Sequence, residues 1–183
     1  LAKYSDRFSS WEEAAKAQSL SMMPLRGPYL DPSFAGVVVN GDMTNTAKQG
    51  QIETFSESFG QRFDNIYPGL GNHDIDNYAS FGDNKDILQW YDELVSGAPG
   101  LVAYDIDGAM ERDGSRSAYR GSLAYSWDIG DVHFVQLNNY PSFAITGTRG
   151  VDFEIRKSLD WLETDLRTHG AGKRIIINMH TLD

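Results

Sequence analysis

Residues 34–42, Phe34-Ala35-Gly36-Val37-Val38-Val39-Asn40-Gly41-Asp42, decide the fold. The β-branched run suits a buried strand, and Gly41-Asp42 is turn chemistry that stops it. The same arrangement recurs twice. Residues 65–69 form a short strand that leads into Gly71-Asn72-His73-Asp74, and residues 174–180 (RIIINMH) read as a buried strand ending in His180. Between the first two strands, residues 46–60 have helical spacing, with Ile52, Phe55 and Phe59 on one face. Strands alternating with amphipathic helices make an α/β protein.

Working outward, residues 11–23 (WEEAAKAQSLSMM) read as a helix, followed by a loop at Pro24, Gly27, Pro28 and Pro32. A second helix is expected over 84–95, ended by Gly97 and Pro99, and then a strand over 101–106. Residues 107–117 are a charged loop. The clearest hairpin joins 122–129 to 132–138 through Gly130-Asp131. Residues 139–150 read as a loop. Residues 152–168 read as an amphipathic helix with the stripe Ile155, Leu159, Leu162 and Leu166, ended by Gly170 and Gly172. No repeat and no linker divides the chain, so residues 1–183 are expected to form a single domain.

The formal charge of −10 excludes a general affinity for nucleic acid or for anionic membrane, both of which need a basic face. No stretch reaches the roughly 18 apolar residues of a membrane span. The absence of cysteine excludes disulfides and zinc–thiolate sites. A site for anionic phosphate in so acidic a chain needs locally held positive charge, which bound metal ions supply.

Ligands of open α/β sheets bind beyond the carboxyl ends of the strands. Asp42, Asn72 and His180 all sit at such ends, so the topology would bring them together. Their types suit a metal: a carboxylate can bridge two cations, an amide oxygen adds a ligand without charge, and an imidazole suits transition metals. Neighbouring side chains point in different directions. If Asn72 faces a metal, His73 therefore faces the substrate, where an imidazolium can stabilise the transition state or protonate the leaving oxygen. The nucleophile would be a metal-bound hydroxide between two cations.

Asn40-Gly41-Asp42, Gly71-Asn72-His73-Asp74 and Met179-His180 resemble the second, third and fourth motifs of the calcineurin-like metallophosphoesterase superfamily. The segment 125–134 (YSWDIGDVHF) and the helix around Leu159-Asp160-Trp161-Leu162 resemble further parts of it. The resemblance implies two mixed β-sheets packed face to face and flanked by helices, a four-layer sandwich. It implies hydrolysis of a small-molecule phosphate mono- or diester by two transition metal ions such as Mn, Fe or Zn. Asp42 would bridge both metals, Asn72 and His180 would bind the second, and His73 would be the acid. Asn45 holds the position that orients this histidine in the family.

The family's Asp-x-His and Gly-His-x-His motifs are missing: residues 1–33 hold no histidine and the chain stops at Asp183. The chain therefore reads as an interior piece of a longer phosphatase or phosphodiesterase, incomplete at both termini, and is expected alone to bind metal weakly, if at all, and to be poorly active. The alternatives are a binding or scaffold module that kept the fold, and a nuclease of the same superfamily.

Other polar residues have plainer readings. His133 lies within the hairpin and reads as structural; His169 sits at a helix end, where a cation suits the dipole. Asp105, Asp107 and Asp113 lack calcium-loop spacing. Asp74 and Asp76 admit two readings, tuning of His73 or turn formation. Trp90, Tyr91, Tyr140 and Phe143 read as core.

Overall fold

The computed structural model describes residues 8–22, 35–60, 65–75, 84–148 and 150–182. The loop expected at Pro24–Pro32 and the residue Asp76 lie outside them. Val37–Val39 form strand β1, which runs parallel to β2 (Ile66–Pro68) with Val37 opposite Ile66 and Val39 opposite Pro68. Parallel neighbours need a crossover. Its described part is helix α2 (Gln49–Phe55), continued as a wider π turn through Ser56–Gly60. Ile52, Phe55 and Phe59 are buried as their spacing predicts, and the two phenylalanine rings stack at 4.7 Å. Helix α1 (Trp11–Met22) packs on this crossover through the small residues Ala14, Ala15 and Ser19. After β2 comes a single helical turn, α3 (Asn72–Ile75), and then α4 (Asn84–Ser96), which buries Ile87, Leu88, Tyr91 and Val95.

The second sheet contains β3 (Leu101–Tyr104), β5 (Tyr125–Ile129), β6 (Val132–Gln136) and β9 (Arg174–Asn178), in that order. β5 and β6 are the expected hairpin, turning at Gly130 with φ +60°. β9 joins β6 in parallel. Trp127 links the two sheets: it stacks on Tyr67 of β2 at 4.4 Å and on Phe134 of β6 at 5.1 Å. Tyr125 Oη donates to the Pro68 carbonyl across the same gap. On the opposite face, α5 (Leu159–His169) lays Trp161, Leu162 and Leu166 on Ala124, Val135 and Leu137.

The architecture is α/β, with mixed sheets and helices, but it differs from the expectation in four respects. The described strands form three sheets rather than two. The third is β4-β8-β7, built from Ala118–Gly121, Asp152–Ile155 and Ile145–Gly147. The helix expected over 152–168 begins only at Leu159, because Asp152–Ile155 pair with β4 and β7. β7 lies within the stretch 139–150 that read as a loop. The Arg174–Asn178 strand, read as buried, is an edge strand among the described residues, with Ile175, Ile176 and Ile177 each about 40% exposed. No helix among the described residues is long and apolar enough to cross a membrane.

Candidate active site

β1 and β2 deliver their two terminal loops side by side, and glycine makes this approach possible. Gly41 has φ +96°, and a Cβ on it would lie 2.7 Å from the Cα and N of Gly71. A Cβ on Gly71 would lie 2.4 Å from Asp42 Oδ1. Asp42 itself adopts φ +53° and is 3% exposed. A left-handed non-glycine residue costs about 1 kcal/mol or more, and such strain clusters at functional sites.

The three strand-end residues converge. His180 Nε2 lies 3.1 Å from Asn72 Oδ1 and 3.4 Å from Asp42 Oδ1. Its Nδ1 lies 2.8 Å from the Asn40 carbonyl, which can only accept, so Nδ1 carries the hydrogen. In the neutral ring Nε2 then presents a lone pair toward two oxygens that are themselves acceptors. Such a cluster is repulsive unless a proton or a cation lies among the three atoms. One carboxylate, one amide oxygen and one imidazole suit an ion of the Mn, Fe or Zn class. The Asn40 carbonyl is the outer partner that metal-binding histidines keep. Among the described residues no group of three or more His, Asp or Glu side chains could hold a metal; the third donor here is the amide of Asn72.

His73 stands beside this cluster, with its ring Nδ1 turned to a different partner. Its backbone N–H donates to Asp42 Oδ1 at 3.1 Å, and its ring Nδ1 donates to the Asn45 carbonyl at 2.9 Å. The Asn45 contribution is therefore made by the backbone, whereas the family pattern suggests its side chain. With Nδ1 committed to a carbonyl, Nε2 is the nitrogen that can exchange a proton.

Asp74 holds the two loops together. Its Oδ1 accepts from the Thr44 N–H and hydroxyl, both at 2.8 Å, and its Oδ2 from the N–H groups of Gly71 (2.9 Å) and Met43 (3.2 Å). Burial pushes this carboxyl up to about 6, against the pull of the Gly71 and Thr44 donors, and the Asp42 charge adds to the rise. Of the two readings open for Asp74, the geometry shows turn formation, extended across two turns.

A third tie runs through Asn139, left-handed at φ +52°. Its N–H donates to the Leu70 carbonyl, and its own carbonyl accepts from the N–H groups of His180 and Thr181. Asn138 Oδ1 accepts from the Leu70 N–H and from Tyr91 Oη. These residues fix where β9 ends relative to the Gly71-Asn72-His73 turn. Sequence reading missed them, because an Asn-Asn pair after a strand signals only a turn.

The remaining candidates fall outside the cluster. His133 is fully buried, with Nδ1 2.7 Å from Asp128 Oδ1 and Nε2 2.9 Å from Asp165 Oδ2. Asp105 accepts from the Ser122 N–H and hydroxyl, and Asp113 from those of Ser115, as loop-shaping carboxylates do. Tyr91 and Phe143 are buried in the core, and Trp90 packs edge-on against Phe55. His169 lies in the last turn of α5. Comparison with known proteins gives no family model, no curated protein and no solved structure that matches this chain.

Proposed function

We propose that this chain carries one half of the active site of a metal-dependent phosphoesterase with a metallophosphoesterase-like sandwich fold. The observation that carries the reading is the meeting of Asp42, Asn72 and His180 within 3.4 Å, with His73 beside them and turned to a different partner. Asp42, Asn72 and His180 would hold a transition metal ion, and the Asp42 carboxylate would also serve a second one. Bound cations would supply charge neutralisation and water activation.

The chain's own residues account for the rest. The Asn40 carbonyl keeps the His180 ring in the tautomer that offers Nε2 to the cluster. The Asn45 carbonyl keeps His73 Nδ1 protonated, so that Nε2 can hold a proton and deliver it to the departing ester oxygen. Ester and water become alcohol and phosphate, or a phosphomonoester where the substrate is a diester. A groove of about 360 Å³ lined by Val38, Asn40, Gly41, Phe55, Phe59 and His180 leaves room beside the cluster.

A binding module that kept the fold is the second reading, and the single carboxylate in the cluster favours it. Hydrolysis of p-nitrophenyl phosphate and bis-p-nitrophenyl phosphate by the chain extended at both ends, with and without Mn²⁺, separates the two. Metal-dependent turnover that vanishes in Asp42→Ala supports the esterase, and the ratio of the two rates tells monoesterase from diesterase. No turnover by metal-loaded protein supports the module.

A further inference from the structure

The turn that holds His73 is itself held from α2. Gln51 Oε1 accepts three hydrogen bonds from this turn: from the Asn45 N–H at 3.2 Å, the Thr46 N–H at 2.9 Å and the Thr46 hydroxyl at 3.2 Å. The same residue, Asn45, accepts from His73 Nδ1 through its carbonyl. Ala47 sits at φ +52° with its N–H on Thr44 Oγ1, and Lys48, which caps α2, makes no side-chain cap bond. Gln51 thus does for the turn what a side chain in a helix's first turn does for a cap, but reaches three residues further back.

We propose that Gln51 is a positioning residue for His73, setting its tautomer and ring direction through the Asn45 carbonyl. The proposal rests on the esterase reading for its catalytic consequence, but not for the tautomer. The Asn45 carbonyl and the Thr46 N–H share one peptide unit, so pinning that N–H to Gln51 keeps the carbonyl aimed at Nδ1. Without that anchor, the carbonyl turns away from Nδ1 and no longer fixes the hydrogen there.

The plainer role for Gln51 is turn stability alone, and two readouts separate them. The chain has only four histidines, so two-bond ¹H–¹⁵N correlation of their rings at pH 8 reports the tautomer of each. In the metal-free wild type His73 is expected as Nδ1–H. Gln51→Glu, which keeps an acceptor at the same reach, retains it. Gln51→Met, similar in bulk but no acceptor, loses it; Gln51→Asn, one methylene shorter, serves if the methionine variant fails to fold. In the Mn²⁺-loaded chain extended at both ends, kcat of Gln51→Met falls about tenfold, a part of the ~10²–10⁴ that a general acid contributes, with KM within about twofold.

A wild-type His73 in the Nε2–H form, or a Gln51→Met protein that keeps Nδ1–H, overturns the positioning role whatever the turnover. Loss of Nδ1–H in Gln51→Met, where the wild-type chain extended at both ends shows no turnover, leaves the positioning intact and removes the esterase.

Discussion

His180 Nε2 meets Asn72 Oδ1 at 3.1 Å across 108 residues of sequence, and in the neutral ring neither atom has a proton to offer once Nδ1 has bonded to the Asn40 carbonyl. A proton or a cation resolves the contact, and under the proposed function it is a cation. His180→Ala is therefore expected to weaken Zn²⁺ binding by more than the roughly 10- to 100-fold that follows loss of an outer partner. Competition against a chromophoric chelator measures it. An unchanged affinity would mean that the imidazole is not a ligand.

The Asp74 carboxylate satisfies four buried donors from two loops. Asp74→Ala strands all four, at roughly 1–3 kcal/mol for a buried group left unpaired, so a loss of about 3 kcal/mol or more is expected. Asp74→Asn keeps one acceptor oxygen and should fall between. Urea melts of the three proteins test the order.

Two glycines make opposite predictions. A Cβ on Gly71 meets Asp42 Oδ1 and N within 2.5 Å, so Gly71→Ala should destabilise by about 1–3 kcal/mol and force the two loops apart. A Cβ on Gly50, within α2, meets nothing within 4 Å. Gly50→Ala should therefore stabilise by about 0.4–1 kcal/mol. Thermal melts of the two variants read the sign directly.

Asp128 links β5 to Lys173 and His133. Partial burial pushes its carboxyl up, but the bonds from Lys173 and His133 outweigh that and leave it below the usual carboxylate range. A carboxyl held low in the folded state adds stability above its unfolded value, near 3.8, and loses it as pH falls through the folded value. Wild type should therefore exceed Asp128→Asn in stability at pH 6, and the gap should narrow below about pH 4. A gap that is constant with pH would show that the ion pair contributes nothing.

Much of the site could be read from sequence because each chemical residue ends a strand, and strands announce themselves. Val37–Val39, the strand over 65–69 and the strand into His180 each placed one end of the cluster. The misreadings have physical causes. Ile155 and Leu159 are four apart, which mimics a helical stripe, yet Asp152-Phe153-Glu154-Ile155 alternates with Phe153 and Ile155 buried, as a strand does. On α5 the inward face is Trp161, Leu162, Asp165 and Leu166, and Leu159 is half exposed. Asp165 breaks the apolar stripe because it meets His133 and Ser126. An apolar run such as Ile175–Ile177 also does not say what lies on its far side. The roles of Gln51, Asn139 and the Asn45 carbonyl are backbone matters, invisible until the turns are built.

The most direct test of the central claim is calorimetric titration of Mn²⁺ into wild type, Asp42→Ala and His73→Ala. The division of roles between a metal-holding Asp42 and a proton-holding His73 predicts binding to wild type, none to Asp42→Ala, and wild-type affinity in His73→Ala with only turnover slowed. Mn²⁺ retained by Asp42→Ala, or released by His73→Ala, would contradict it.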